Sequence, residues 1–331
     1  MAKTLGMALI PFSLLVAIYV IFDPLLVLRW HEDMIPGGYL PNKGNVTAKQ
    51  YEHFNPEMHY NSFIIGSSIT INHWLDEWTT HLPDNAVPFH FDSSTMNVFQ
   101  MNMVVDHLLE NSDVKNILFV VPTYFFDWYD CASFPYMTAI EIQPSIIDRV
   151  KSHIRFFRNF YNQSFLSGAL FEILEIKSGK DRHFTLEREL TYYNPVYNEE
   201  VAAKKNIMLD SLNMNFNKEN PDWEKSYDKL SNSFSHPKVQ SYHTNILRDI
   251  VKKLEDNNVN YKFVVAPSRE LPMPFLMNPA DDAKLYEIFG DNYINLGSEL
   301  NFYIANPNLW YDAIHYRNPV AVEIHKRIYE R

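Results

Sequence analysis

Short apolar segments alternate with amphipathic segments along two stretches of this chain, and this alternation limits the folds open to it. Strands that are apolar throughout, separated by amphipathic helices, are typical of a parallel sheet covered on both faces. The sequence therefore predicts an α/β protein. The predicted strands are 61–66, 87–91, 116–122, 261–267 and 293–297, and the predicted helices are 69–81, 96–110, 239–258, 280–289 and 319–330.

The composition excludes several classes of partner and cofactor. Asp and Glu outnumber Lys and Arg by 40 to 29, a formal charge of −11. Because phosphate binding relies on clustered basic residues, we expect no nucleic-acid partner. Cys131 is the only cysteine, so an intrachain disulfide is not possible. The sequence has neither a glycine-rich phosphate loop nor a recognisable metal-ligand pattern, and we expect no cofactor and no metal.

The N-terminal segment predicts a membrane location. Residues 5–22 are 18 uncharged, mostly apolar residues, and as a helix they would span about 27 Å, close to the hydrocarbon core of a bilayer. A cleaved signal peptide and a buried core helix are the alternatives, but no small-x-small cleavage site follows the segment. We expect residues 1–29 to form a single-pass anchor and residues 30–331 to form an extracytoplasmic catalytic domain. The flanking charges specify the orientation only weakly.

Two regions fall outside the alternation. Residues 31–58 are rich in Pro, Gly, Asn and His, and we predict an irregular lead-in. Between about 123 and 237 the chain is aromatic and helical or irregular, and we predict an inserted cap over the site. Within this stretch, 148–158 mixes basic residues with Ile and Phe. A solvated helix face is the favoured interpretation, and a surface for an anionic membrane or polymer is the alternative.

Two distant motifs carry the parts of a hydroxyl-based acyl-transfer site. The first predicted strand ends in Gly66-Ser67-Ser68, and Asp312 stands three residues before His315 near the C-terminus. A hydroxyl nucleophile, an imidazole base and a carboxylate that orients the base form such a site. Ser68 follows a strand, and catalytic groups of parallel sheets lie at the carboxyl ends of strands. The alternatives are an ordinary turn with a helix N-cap, Ser67 as the nucleophile, and a structural histidine.

Together, the Gly-x-Ser at the end of the first strand and the Asp-x-x-His before the last helix resemble the SGNH hydrolase superfamily. The closer similarity is to its membrane-anchored branch, related to DltD, AlgJ and AlgX. The resemblance implies a flavodoxin-like three-layer α/β/α sandwich. It implies Ser68 as nucleophile, His315 as general base and Asp312 as its orienting carboxylate. It also implies a backbone oxyanion donor in the stretch FDSSTMN, at Ser93 or Ser94, beside the N–H of Ser68 itself.

The chain departs from many SGNH hydrolases at one block. Where they carry Gly-x-Asn-Asp, this chain runs VVPTYFFDWYD with no Asn, so no side-chain oxyanion donor is assigned. Other candidates are substrate contacts. Ser268 and Arg269 follow a strand at the catalytic edge, with a Pro-ordered loop as the alternative, and Tyr124 lies in an aromatic run suited to sugar stacking or to core packing.

These features predict a membrane-tethered serine acyltransferase or esterase. It would act on O-acyl groups, acetyl being the expected one, of a cell-surface polysaccharide or other acylated polymer. A membrane-bound O-acyltransferase is a further possible partner, implied by the resemblance. The alternatives are a non-catalytic scaffold for such an acyltransferase and a lipase-like esterase.

Overall fold

The structure is a computed structural model, and its central element is a five-stranded parallel sheet. It describes residues 2–23, 25–31, 43–93, 96–122, 125–126, 139–161, 192–211, 239–267, 277–297, 306–311 and 315–330. The strands are β1 Ser62–Gly66, β2 Pro88–Asp92, β3 Asn116–Pro122, β4 Tyr192–Asn194, β5 Glu199–Val201, β6 Asn260–Ala266 and β7 Tyr293–Asn295.

Helices alternate with these strands along the chain. The α-helices are α1 Ala2–Phe22, α2 Lys43–Met58, α3 Leu75–Thr79, α4 Val98–Asn111, α5 Ile146–Tyr161, α6 Ala203–Ser211, α7 Ser241–Asp256, α8 Pro279–Phe289 and α9 Asn318–Tyr329. Short 3₁₀ helices cover Ser68–Asn72, Gly290–Asn292 and Pro307–Leu309.

The order of the strands places the carboxyl end of β1 at a crevice. The sheet runs β2-β1-β3-β6-β7, and every neighbouring pair is parallel. Counted along the sheet-forming strands, this is the doubly wound order 2-1-3-4-5, whose direction of winding reverses between β1 and β3. Ligands of such sheets bind at the carboxyl ends of the strands beside the reversal.

Both faces of the sheet are buried under helices, so the α/β class and the mostly parallel sheet are confirmed. Alternate strand residues point to opposite faces. Phe63 and Ile65 belong to the core under α2, α4, α7 and α8, whereas Ile64 belongs to the core under α3 and α9. This is why the strands are apolar throughout and not alternating.

The predicted irregular lead-in over 31–58 is wrong for its second half. Residues 43–58 form α2, with Pro56 in its last turn. Seven residues between Gly44 and Tyr51 are buried, and the Tyr51 ring meets those of Phe63 and Phe89 edge-on at 6.1 and 5.8 Å. Burial against the sheet outweighs the poor helix propensity of this segment.

The predicted helix over 69–81 is also wrong in detail. The chain forms a 3₁₀ helix, Ser68–Asn72, leaves helical geometry at His73 with ψ 82°, and begins α3 at Leu75. The three β-branched residues at 69–71 disfavour a regular α-helix at this point. The break leaves Ser68 on a short, separately anchored turn.

The predicted membrane-spanning helix is not confirmed. Over the parts of the chain that the structure describes, no helix is both long and apolar enough to cross a bilayer. In α1 the described side chains begin at Phe12.

Part of the stretch 123–237 lies beside the sheet. It contributes α5, the antiparallel pair β4–β5, and α6. The side-chain amide of Asn198 donates to the His90 carbonyl oxygen at 2.6 Å and to the Asp92 carboxylate at 3.0 Å. These bonds fasten the β4–β5 pair to the carboxyl end of β2.

Candidate functional site

A serine and a histidine from opposite ends of the chain meet at the carboxyl end of β1. The Oγ of Ser68 lies 2.8 Å from the Nε2 of His315, across 247 residues of sequence. This is the separation of a nucleophile and base that share a hydrogen bond. Ser67 differs: its side chain is 2% exposed, and its hydroxyl has no hydrogen-bond partner among the described residues. Of the two serines, the structure brings Ser68 to the imidazole.

Gly66 allows the turn that presents Ser68. It pairs with Asp92 of β2 and Val120 of β3. A Cβ at this position would overlap the carbonyl oxygen of Val120 and the methyl group of Thr70. Only glycine therefore permits the backbone of β1 to pass this close to β3 before the chain turns into the 3₁₀ helix.

The loop that carries His315 is closed by backbone pairing. Trp310 and Tyr316 form an antiparallel bridge, and the N–H of Tyr311 donates to the His315 carbonyl oxygen at 2.9 Å. The N–H of Arg317 donates to the Leu309 carbonyl oxygen at 2.8 Å. These bonds fix the backbone of His315 just ahead of α9.

Two buried asparagines join the serine turn to the histidine loop. The side-chain amide of Asn72 donates to the Tyr316 carbonyl oxygen at 2.7 Å. The side-chain amide of Asn318 donates to the Asn72 carbonyl oxygen at 3.1 Å and to a carboxylate oxygen of Glu77 at 2.8 Å. The two segments that carry Ser68 and His315 are therefore tied together one residue away from the base.

Arg317 anchors the same loop on its other side. Its guanidinium, 6% exposed, donates to the side-chain and main-chain oxygens of Asn206 at 3.0 Å each. It also donates to the Asp210 carboxylate at 2.9 Å and to the Asn308 carbonyl oxygen at 2.6 Å. Helix α6 therefore helps to position the histidine loop.

A histidine pair is buried behind the loop. His73 contacts the His325 ring nitrogen at 2.8 Å and the Tyr316 hydroxyl at 2.7 Å. Burial and the neighbouring imidazole hold the pKa of His73 well below its usual range, and burial lowers the pKa of His325 to about 3. Both rings are neutral near pH 7, and they support Tyr316, the residue after His315.

A pocket of about 220 Å³ opens onto the serine–histidine pair. The Lys205 ammonium lies 5.3 Å from the centre of the Tyr311 ring in its wall. Burial raises the pKa of Tyr311 to about 12, so its hydroxyl stays protonated. The described lining residues are Ser68, Ile71, Asn72, Glu200, Ala202, Lys205, Tyr311 and His315.

The backbone N–H groups of Ser93 and Ser68, two of the predicted oxyanion donors, differ in their hydrogen bonding. The N–H of Ser93 donates to the Gly66 carbonyl oxygen at 3.2 Å. The role of Ser93 as an oxyanion donor stays a prediction. Ser68 opens a 3₁₀ helix whose first turn is closed by the bond from the Thr70 N–H to the Ser67 carbonyl at 3.0 Å. The N–H of Ser68 precedes that bond and needs no acceptor inside the helix.

The remaining predicted site residues lie outside the described residues. They are Asp312, Ser94, Tyr124, Ser268 and Arg269. Within the described ranges, no group of three or more His, Cys, Asp or Glu side chains is placed to hold a metal ion.

Sequence reasoning missed the residues that hold the site together. Asn72, Asn206 and Arg317 carry no motif, because each meets its partner only in the folded chain. Asn72 donates to the Tyr316 carbonyl oxygen, and Arg317 donates to the side-chain and main-chain oxygens of Asn206. A partial signal was present at Asn318, which precedes Pro319 at the start of a predicted helix.

In comparisons with known proteins, no protein-family model matches the chain and no curated protein matches it.

Proposed function

We propose that this chain is a serine esterase or acyltransferase of the SGNH type. The observation that carries the proposal is the 2.8 Å contact between Ser68 Oγ and His315 Nε2. Its place in the fold supports it, since the contact lies at the carboxyl end of β1 beside the reversal in strand order.

The reaction runs in two halves. His315 Nε2 takes the Ser68 proton as Oγ bonds to the acyl carbonyl carbon, and the carbonyl π electrons move to the oxygen. The N–H of Ser68 donates to this oxyanion. The tetrahedral adduct then expels the donor alkoxide, which takes the proton from His315 and leaves an acyl-enzyme. In the second half, a hydroxyl of a sugar or of water gives its proton to His315 as its oxygen bonds to the ester carbon. The second tetrahedral adduct then expels the Ser68 oxygen, which takes the proton back from His315, and the acylated sugar or the free acid is released.

Asp312 is the proposed orienting carboxylate. It stands three residues before His315, and an ionised carboxylate on the second ring nitrogen would fix the tautomer that leaves Nε2 as the acceptor.

The pocket beside the serine–histidine pair is the proposed place for the acyl group and its acceptor. Its volume of about 220 Å³ is below the roughly 300–1,000 Å³ that pockets for drug-sized ligands occupy. The hydrogen-bonding groups of Glu200, Lys205 and Tyr311 suit a hydroxyl-rich acceptor. We therefore propose acetyl as the acyl group and a cell-surface polysaccharide as the polymer, with a membrane-bound O-acyltransferase as a possible partner. Residues 1–29 would tether the domain to the outer side of a membrane.

A comparison of two ester substrates tests this proposal. The purified full chain should hydrolyse p-nitrophenyl acetate faster than p-nitrophenyl octanoate. Ser68→Ala should remove this activity, and the matched variant Ser67→Ala should retain it. In the host cell, Ser68→Ala should lower the O-acetyl content of the polymer at unchanged protein level. Full retention of O-acetylation in those cells would favour the scaffold over the enzyme.

A further inference from the structure

Helix α5 exposes an apolar face that the proposed chemistry does not use. Four of its side chains, at 146, 147, 150 and 154, are between 51% and 79% exposed. At 100° per residue they fall within one arc of about 100°, the width of a face that normally packs on a core. Phe156 and Phe160, each 0% exposed, pack inward from the side of the helix that adjoins Ile146.

Basic side chains line one edge of this face. Lys151, Arg155 and Arg158 are exposed, and on the same wheel they follow the apolar arc directly. The helix carries four basic residues against one acidic residue, Asp148, which pairs with Lys151 at 3.2 Å. This local excess contrasts with the formal charge of −11 for the whole chain.

The apolar face continues onto helix α1. Phe157 lies within the same arc of α5, and its ring meets those of Phe12 and Tyr19 edge-on at 5.9 and 5.3 Å. Phe12 is itself 52% exposed, and Phe22 at the end of α1 is 59% exposed. Exposed apolar side chains of two neighbouring helices therefore form one surface, larger than the scattered apolar residues of an ordinary protein surface.

We propose that the outer face of α5 lies on an anionic phospholipid bilayer, beside α1. An apolar face flanked by Lys and Arg is the pattern of a helix that rests in the plane of the membrane interface. The basic edge fits negatively charged headgroups. The cap stretch would thereby contact the membrane directly, and this inference is independent of the chemistry at Ser68.

A depth measurement on the full chain tests the contact. A single cysteine is introduced by Ile154→Cys in a Cys131→Ser background and carries an environment-sensitive nitrobenzoxadiazole label. The control is the same label at Lys252→Cys, on the exposed side of α7. The protein is reconstituted in phosphatidylcholine vesicles with or without phosphatidylglycerol, and the lipids carry shallow nitroxide quenchers.

We expect the label at 154 to shift to the blue and to be quenched in phosphatidylglycerol vesicles, while the label at 252 is unaffected. Each basic side chain near such a surface strengthens attachment about fivefold. Quenching at 154 should therefore fall when Lys151, Arg155 and Arg158 are replaced by Gln. Equal behaviour at 154 and 252 would overturn the proposal. So would a blue shift without nitroxide quenching, which would show that a second copy or another protein covers the face. The p-nitrophenyl acetate assay reports on Ser68 separately in either case.

Discussion

Arg317 offers a quantitative test of how the histidine loop is held. Arg317→Lys keeps the positive charge but loses the planar fork of donors; with one of the four hydrogen bonds to Asn206, Asn308 and Asp210 kept, three are lost. Three lost bonds, at about 1 kcal/mol each, lower the free energy of unfolding by about 3 kcal/mol. For a chain of 331 residues the entropy of unfolding is about 0.7 kcal/mol/K, so the thermal midpoint should fall by about 4 °C.

Arg327→Lys, in the helix α9 that begins directly after Arg317, is the matched control. Arg327 is 38% exposed and pairs with Glu323 one turn away, so its replacement should change the stability by about 0.5 kcal/mol or less.

Activity provides the second readout for Arg317. Arg317 follows the base His315 by two residues. Arg317→Lys should therefore displace the histidine loop and lower kcat for p-nitrophenyl acetate by about 10–100-fold, with a smaller change in KM. Arg327→Lys should leave kcat unchanged. Equal thermal midpoints and equal kcat for the two variants would refute the positioning role.

Two substitutions and a change of pH test the packing of buried residues. Gly66→Ala places a methyl group against the carbonyl of the facing strand and should cost about 1–3 kcal/mol; an unchanged denaturant midpoint would contradict this. Asn72→Ala removes the buried hydrogen bond to the Tyr316 carbonyl oxygen and should cost about 1–3 kcal/mol and lower kcat; a variant with wild-type unfolding and kcat would show that this bond does not hold the two segments together. The pKa values of His73, His90 and His325 are depressed by burial, those of His90 and His325 to about 4 and 3. The unfolded chain therefore binds more protons below pH 6.5, and stability should fall by about 1 kcal/mol per histidine between pH 6.5 and 5.5. Chemical denaturation across this range measures the slope, and a flat profile would contradict neutral buried rings.

The sheet could be predicted because its strands are buried on both faces and are therefore apolar throughout. The predicted strand 116–122 matches β3, whose seven residues are all buried. Helix α2 was missed because its residues are poor helix formers, and only burial against the sheet stabilises it. The pairing of Ser68 with His315 could be predicted from the chemistry of the two side chains and from their positions. Ser68 follows a predicted strand, and His315 precedes a predicted helix. The role of Arg317 could not be predicted, because three of its four hydrogen bonds go to Asn206 and Asp210, in a helix of the inserted stretch whose position the sequence does not reveal.

Covalent labelling shows whether Ser68 is a nucleophile that His315 activates. The folded full chain is treated with a fluorophosphonate probe, and the modified residue is identified by mass spectrometry. We expect one label on Ser68, retained in Ser67→Ala and strongly slowed in His315→Asn. A label on Ser67, no label on the folded wild-type chain, or undiminished labelling of His315→Asn would contradict it.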